Sequence, residues 1–596
     1  VFSITCYNTQ KINIGNYTIW FNGSNSCVEN LKFVNTIHQT ILNGYESLQL
    51  SIIEKLEYNF AIIIEDIKNE RIVVARDRFG IEPLYYIKEG NTYHFSQNIK
   101  DLVKLNATLN HQKIYNYLNH YNWNNTNIYD NSTFYAHIKS VLPAHLTVIT
   151  SDKVTITPYW IPETVEFKLP EVYDRFAELL IQSLTSNTAP YRNITAQVSG
   201  GIDSSSLALL YSKIGKSTTM NIDPDIDESR DGFYLNKVID LIKTEHYTLP
   251  PEKDVYGCVK DFSLHSGFPD HVMLSSAFMA PISKKAAELN SDAILCGHDG
   301  DTVIGHGDEY LTDLKHKGDW YTFSTMLTQI ALDTESSHLY SNWNTIEASK
   351  RVKIIKENKF GGEIIKLLKS GEIKQIKKLL EDTHREFGYT SLSFILFLAK
   401  KVLKKIINPR INSNLNLAYS PNNRTIDESL DQLYSFNKYT ASNQFKNATS
   451  QRFIEINEQL FTTGQYYGHK YLFPFMERRL LEFSMNVPDE IKFGKGKTRA
   501  LIKNAFRDVL PPELLNRGGK TDFIEYSLRS CLQLWKDNHD KFIENTKMWD
   551  YVDKKIFIKQ MKLVGNPNIP IGHKSNMIRT LNRVMYSGIW LDTLKY

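Results

Sequence analysis

Cysteine is scarce. Five occur among 596 residues, at Cys6, Cys27, Cys258, Cys296 and Cys531, with no Cys-x-x-Cys pair. That excludes a disulfide framework and a zinc-type ligand spacing, and it fits a reducing, cytoplasmic compartment. Neither charge sign dominates: 70 Lys and Arg against 66 Asp and Glu leave a net charge of +4. Such balance argues against a dedicated nucleic-acid binder. Long apolar runs are also missing. The most apolar one, Phe394-Ile395-Leu396-Phe397-Leu398-Ala399, stops at Lys400-Lys401, far short of the ~20 residues of a membrane span. No membrane partner is expected. The opening Val1-Phe2-Ser3-Ile4-Thr5 has no basic flank or small-residue cleavage site, so no targeting segment is read there. What remains is ordinary globular composition, 42% hydrophobic and 23% charged, in a length that calls for at least two domains.

The first ~160 residues read as strands. Asn59 to Ile64 is a buried-strand pattern, followed by Arg71 to Arg76. Tyr85-Tyr86-Ile87 and Thr92 to Phe95 form a hairpin around Glu89-Gly90-Asn91, and Leu146 to Ile149 with Val154 to Ile156 form another. Pro158-Tyr159-Trp160-Ile161-Pro162 closes this segment, since each Pro stops regular pairing. Two domains are therefore expected, 1–162 and 163–596. The second opens with an amphipathic helix, Val172 to Leu184. Strands (Ile194 to Val198, Thr218 to Ile222, Glu245 to Tyr247, Ala293 to Leu295) then alternate with helices (near Leu207, Gly232 to Lys243, Ser275 to Leu289). The fold class is thus α/β: a β-rich N-terminal domain and a doubly wound parallel sheet with helical additions. Beyond Asp308 the chain reads as mainly helical, with an Asn- and Ser-rich loop or lid from Asn412 to Asn447.

The strongest chemical signal is Val198-Ser199-Gly200-Gly201-Ile202-Asp203-Ser204-Ser205, between a strand and a helix. Two glycines let backbone approach an oxyanion, and the helix N-terminus favours negative charge. No Lys follows the glycines, so this is not the Gly-Lys-Ser/Thr nucleotide loop. Asp203 suits Mg2+ bridging to phosphate. The second signal is Cys296-Gly297-His298-Asp299-Gly300-Asp301-Thr302, after the next strand. In a doubly wound sheet the strand ends converge on one crevice, so Asp301 is expected to face Asp203.

Ser-Gly-Gly-x-Asp-Ser resembles the pyrophosphate-binding loop of the ATP pyrophosphatase superfamily. Three further stretches resemble the synthetase half of the asparagine synthetase family: Phe473-Pro474-Phe475-Met476-Glu477, Gly496-Lys497-Thr498-Arg499-Ala500-Leu501-Ile502 and Asn516-Arg517-Gly518-Gly519-Lys520-Thr521. Glu477 stands where that family has Asp. Ala75-Arg76-Asp77-Arg78-Phe79-Gly80-Ile81-Glu82-Pro83-Leu84 resembles the family's glutaminase-type domain, an N-terminal-nucleophile sandwich. The resemblance implies a class II glutamine amidotransferase-like domain at 1–162 and an ATP pyrophosphatase, amide-forming domain at 163–596.

Glutamine-hydrolysing members carry Cys at the mature N-terminus as nucleophile. Position 1 here is Val, Cys6 reads as a small buried thiol, and only Asn22-Gly23 resembles part of the glutamine pocket. The N-terminal domain is therefore read as degenerate. Family members of that kind include β-lactam synthetases and the macrolactam cyclases of lasso peptides. Gly297-His298-x-Gly300-Asp301 and Arg517-Gly518-Gly519-Lys520-Thr521 resemble the cyclases more. The resemblance implies ATP and Mg2+ as cofactors and a precursor (core) peptide as substrate, with a leader-peptide protease or recognition protein as a further partner. Val198, Ser199, Gly200, Gly201, Ser204, Ser205 and Gly297 would bind ATP, and Asp203 and Asp301 the metal. Lys520 would stabilise developing negative charge, and His298 would take the proton of the attacking amine. An asparagine synthetase using free ammonia shares every one of these ATP residues, and a β-lactam synthetase-like small-molecule cyclase is a further alternative. The basic clusters Lys374 to Lys378 and Lys400 to Lys405 read as solvated helix faces rather than an RNA surface.

Overall fold

The structure is a computed structural model that describes residues 3–7, 11–24, 28, 36–119, 129–163, 168–226, 231–271, 275–307, 309–334, 343–387, 399, 439–518, 523–545 and 547–594. Two sheets stack in the N-terminal part. One is antiparallel and six-stranded, in the spatial order Lys11–Ile14, Tyr17–Gly23, Phe60–Asp66, Arg71–Arg76, His145–Ile149, Val154–Pro158. The other runs Ser3–Cys6, Thr92–Ser96, Tyr85–Glu89, Lys139–Ser140. Trp20, Ile63 and Val74 point between the sheets and meet Tyr93 and Phe95. Their alternate neighbours Ile19, Ile62, Ile64 and Val73 face the Ile37–Leu48 helix through Ile41, Leu42 and Tyr45. Both faces of the Phe60–Asp66 strand are thus covered, which is why it reads as a continuous apolar run rather than an alternation.

The second part is built on a parallel sheet of five strands, in the order His246–Leu249, Ser217–Ile222, Ile194–Gln197, Ala293–Leu295, Lys470–Leu472. The helices Ile202–Tyr211, Asp231–Ile242 and Ser276–Glu288 lie on the connections between these strands. From Ile194–Gln197 the chain winds outward to one side, then returns to continue on the other. The order therefore reverses between Ile194–Gln197 and Ala293–Leu295, and the crevice of such a sheet opens at the carboxyl ends of those two strands.

Beyond Asp308 the described residues are mainly helical, as expected, with one addition and one stretch that differs from the loop expected there. The helical C-terminal region also supplies an edge strand, Lys470–Leu472. Three residues carry no readable period, and the strand exists because Ala293 to Leu295 pair with it. The Asn- and Ser-rich stretch is not loop throughout: Tyr439–Ala448 is a helix. Its Ala441, Phe445 and Ala448 are buried, so tertiary packing outweighs the weak helix preference of Asn, Ser and Thr. Residues 412–438 lie outside the described residues. The Lys374, Lys377 and Lys378 side chains are exposed on the Ile373–Phe387 helix.

The Gln451–Tyr467 helix locks the two parts together. Glu458 accepts from Arg76 Nη1 at 2.9 Å and from the Tyr129 hydroxyl at 2.6 Å, all buried. Asn457 donates to the Phe79 carbonyl at 2.9 Å. Nearby, Lys470 pairs with Glu82 at 2.7 Å and Arg478 with Glu57 at 2.8 Å. Among the described residues no helix is long and apolar enough to cross a membrane.

Candidate functional site

The first loop follows the central strand. Gly200 has φ +74, and a Cβ there would lie 2.4 Å from the Asp231 carbonyl oxygen. Only glycine fits, because both the conformation and the space exclude a side chain. Gly201 precedes the Ile202–Tyr211 helix. Ser204 Oγ accepts from the Ser199 amide at 3.1 Å and sits 3.0 Å from Ser199 Oγ. The hydroxyls thus brace the loop against the first helical turn, which also carries Asp203.

The second loop follows Ala293–Leu295. Gly297 lies against the first one: a Cβ on it would be 2.5 Å from the Ser204 nitrogen and 2.6 Å from its Cα. The two loops therefore touch backbone to backbone. Asp299 takes a left-handed conformation, φ 50, and starts the short Gly300–Ile304 helix, whose Gly300 packs beneath the Phe475 ring. Asp301 follows in the first turn of that helix. His298 Nε2 is 3.3 Å from Asp299 Oδ2, and the ring meets Phe473 edge-on.

Asp203 and Asp301 converge, as their placement in the sheet predicts. Both hold one cation, the Arg499 guanidinium. Its Nε is 3.1 Å from each oxygen of Asp203, and its Nη2 is 2.7 Å from Asp301 Oδ2. Further cations gather behind. Arg517 donates to the Gly200 carbonyl at 2.7 Å, pairs with Asp231 and stacks over Tyr234. Lys503 donates to the Arg517 carbonyl at 2.6 Å. Burial above all, then the charges of Arg499 and Lys497, pushes the Lys503 ammonium down to about 8.

These groups line one cavity of about 430 Å³, within the range of small-molecule sites. Val198, Ser199, Gly201, Asp203, Ser204, Gly297, His298 and Asp301 all reach it. Gly200 and Ser205, both expected to bind ATP, are not among the lining residues. Gly200 is turned against Asp231, and Ser205 is fully buried under the loop. Lys520 lies outside the described residues. One rim of the cavity is apolar: Phe278 and Met279 from one helix, Ile456 and Leu460 from the Gln451–Tyr467 helix, and Phe523. Arg452 shares the face of Ile456 and Leu460, since the three are four residues apart on one helix.

The sequence reading did not single out Arg499, Lys503, Arg452 or Asp231 as site residues. Arg499 and Lys503 stand in one basic stretch opening a helix, Lys497 to Lys503, and that is the signal that could have found them. Glu477 is not part of the cavity lining. It caps the Arg478–Asn486 helix by accepting from the Leu480 amide at 2.9 Å and pairs with Arg479 at 2.7 Å.

The carboxylate pair fits a divalent metal. Two acids already share one cation position, and hard cations such as Mg2+ take oxygen ligands. No group of three or more His, Cys, Asp and Glu poised to hold a metal occurs among the described residues. A metal held by these two carboxylates would take its remaining ligands from other oxygens, phosphate and water among them, as Mg2+ commonly does.

In the N-terminal part, Cys6 lies in the edge strand Ser3–Cys6, partly rather than fully buried. Burial pushes its thiol well above the ordinary range, which disfavours the thiolate a nucleophile needs. Asn22 Nδ2 donates to Glu82 Oε2 at 3.0 Å and also to Gln97. Gln97 donates to the same Glu82 oxygen at 3.0 Å, and Lys470 holds the other one.

A family model described as asparagine synthase matches residues 175–444 and 468–562, and a glutamine amidotransferase domain model matches 33–160. The chain is 23% identical over 301 residues to the glutamine-hydrolysing asparagine synthetase 3 of Bacillus subtilis strain 168, covering 44% of this chain and 47% of that protein. It is 26% identical over 303 residues to a putative glutamine-hydrolysing asparagine synthetase 2 of Methanocaldococcus jannaschii, covering 46% and 54%. It is also 27% identical over 199 residues to amidase chry2 of Gibberella zeae, covering 32% and 29%. The matched segments span about half the length of the two synthetases and under a third of the amidase.

Proposed function

The chain belongs to the asparagine synthase family, and on that premise we propose that it is an ATP-dependent, AMP-forming carbon–nitrogen ligase that closes a macrolactam in a precursor peptide of the lasso type. The observation that carries the ligase reading is the convergence of Asp203 and Asp301 on one cation position, beside the Ser199–Ser204 loop and under Arg499, Lys503 and Arg517. That is a polyphosphate seat with its counter-charges in place.

A carboxylate oxygen of the substrate attacks the α-phosphorus of ATP. The bond from that phosphorus to the bridging oxygen breaks, and pyrophosphate leaves. The substrate amine then attacks the acyl carbon. The acyl–oxygen bond to AMP breaks, and the amine gives up a proton. Mg2+ held by Asp203 and Asp301 would neutralise charge on the departing pyrophosphate. The Ser199–Ser204 loop and the helix start behind it orient the phosphates. Lys520 belongs to this reading as a further cation. His298, which lines the cavity, receives the amine proton.

The apolar rim suits the adenine ring and apolar side chains of a peptide alike. Phe278, Met279, Ile456, Leu460 and Phe523 offer that apolar surface. The Asn22, Gln97 and Glu82 network supports a structural role for the N-terminal domain, because it occupies the Asn22 amide and ties Glu82 to Lys470. A leader-peptide protease or recognition protein is the partner this reading implies.

Mass spectrometry tests the proposal. Synthetic peptides with a free amino terminus and one internal Asp or Glu, moved through successive positions, are incubated with ATP and Mg2+. At one spacing the peptide should lose one water while AMP forms. Conversion of aspartate and ammonium to asparagine, with no peptide cyclised, would assign the ammonia-using synthetase instead.

A further inference from the structure

Arg499 stands apart from the other cations of the site. It is not beside the carboxylates but between them, with Nε on both oxygens of Asp203 and Nη2 on Asp301. Its side chain is 7% exposed and that of Asp203 9%. Two carboxylates that converge on one point call for a cation between them. Arg499 supplies that cation from within the chain.

Its backbone is also unusual. Arg499 has φ 56 and ψ 33, a left-handed conformation in a residue with a Cβ, at the start of the Ala500–Ala505 helix. Its amide donates to the His306 carbonyl at 2.9 Å. Such strain persists where surrounding contacts over-determine it, commonly at switch regions. Here the contacts are the His306 carbonyl on one side and two carboxylates on the other.

We propose that Arg499 is a resident counter-ion that holds the metal seat closed until nucleotide arrives. The guanidinium and a divalent cation compete for the same carboxylate oxygens. A metal arriving alone would have to displace the charge-assisted contacts of Arg499 with both carboxylates, and among the described residues it would find no third carboxylate, His or Cys poised beside them. A metal arriving with ATP brings phosphate ligands for itself and an alternative anion for the guanidinium. Metal binding is therefore coupled to nucleotide binding, and Arg499 sets the coupling. This inference rests on the nucleotide reading of the site but not on the identity of the carboxylate substrate.

The test uses Mn2+ as the probe, with the full chain and without turnover. Free Mn2+ is followed by electron paramagnetic resonance, with and without α,β-methylene-ATP. Wild type should bind Mn2+ weakly alone and at least about tenfold more tightly with the analogue, which corresponds to ~1.4 kcal/mol of coupling. Arg499→Met should bind Mn2+ alone at least about tenfold more tightly than wild type, and most of the coupling should vanish. Arg499→Lys keeps the charge but cannot span both carboxylates with a planar fork, so it should fall between the two. It serves as the deciding variant if the Met protein does not fold, which thermal unfolding checks. Equal Mn2+ affinity in wild type and variants without analogue overturns the proposal. So does wild-type Mn2+ binding that is already tight without the analogue, at the level expected of Arg499→Met. If wild type gains no Mn2+ affinity with the analogue while Arg499→Met binds Mn2+ tightly alone, the counter-ion role stands and the nucleotide reading fails.

Discussion

Gly297→Ala puts the smallest possible wedge between the two loops that build the site. The added methyl would sit 2.5 Å from the Ser204 nitrogen and 2.6 Å from its Cα. Both are backbone atoms of a helix start, so no side chain can swing aside. Restoring ordinary contact requires the loops to part by about 1 Å. Overpacking of this kind costs about 1–3 kcal/mol. The functional cost should be larger than the stability cost, because the displaced atoms carry the Ser204 amide and the Asp203 carboxylate. A shift of ~1 Å in such a constellation is worth roughly 100-fold in rate. Gly232→Ala is the control. It lies beside Asp231, near the same cavity, and its Cβ would meet no atom within 4 Å. As a helix residue it should be neutral or stabilising by ~0.4–1 kcal/mol. Analogue binding by calorimetry and thermal unfolding separate the two effects. Gly297→Ala protein that folds and binds α,β-methylene-ATP like wild type would refute the backbone contact between the loops.

Other consequences follow from the same geometry. Arg76→Met strips the partner from buried Glu458 and should cost about 3–5 kcal/mol; adding Glu458→Gln should recover part of it, as read by denaturant unfolding. Lys503 sits at about 8 in the folded chain against an ordinary 10.5. Between those values the unfolded chain binds the extra proton, so the contribution of Lys503 makes stability rise with pH across that window. Polyphosphate binding should draw the proton back. Calorimetry above pH 8 in buffers of different ionisation enthalpy should show proton uptake with wild type and none with Lys503→Arg, and equal uptake in both would assign it elsewhere. His298→Gln should slow ring closure by about 100-fold while sparing adenylation, so AMP and hydrolysed acyl product accumulate. An equal fall in both steps would make His298 a positioning residue.

Much of the site was legible because its parts are local. A strand, a Gly-Gly turn and a helix start are contiguous from Ile194 to Ser205, and a second strand with its Gly-rich loop is contiguous from Ala293 to Asp301. The topology rule for doubly wound sheets then places Asp203 against Asp301 without further information. The missed parts are those whose meaning is tertiary. Arg499 lies 296 residues from Asp203 in sequence, and nothing local in its basic run says which anion it meets. The same holds for Arg76, 382 residues from Glu458. Lys470–Leu472 is a strand only because a neighbouring edge recruits it, and Tyr439–Ala448 is a helix only because Ala441, Phe445 and Ala448 have a core to enter. Glu477, in a segment that resembles the family, serves as a helix cap, so a motif match fixed a place in the fold rather than a role in the chemistry.

Carboxylate-dependent exchange of labelled pyrophosphate into ATP tests the central claim most directly, because it isolates cleavage between the α and β phosphates from everything that follows. With a peptide carrying an internal Asp or Glu, wild type should exchange label and release AMP. Asp203→Asn and Asp301→Asn should each abolish both, since each removes charge from the proposed metal seat. Exchange that survives either substitution, or ADP and phosphate appearing in place of AMP and pyrophosphate, would contradict the account.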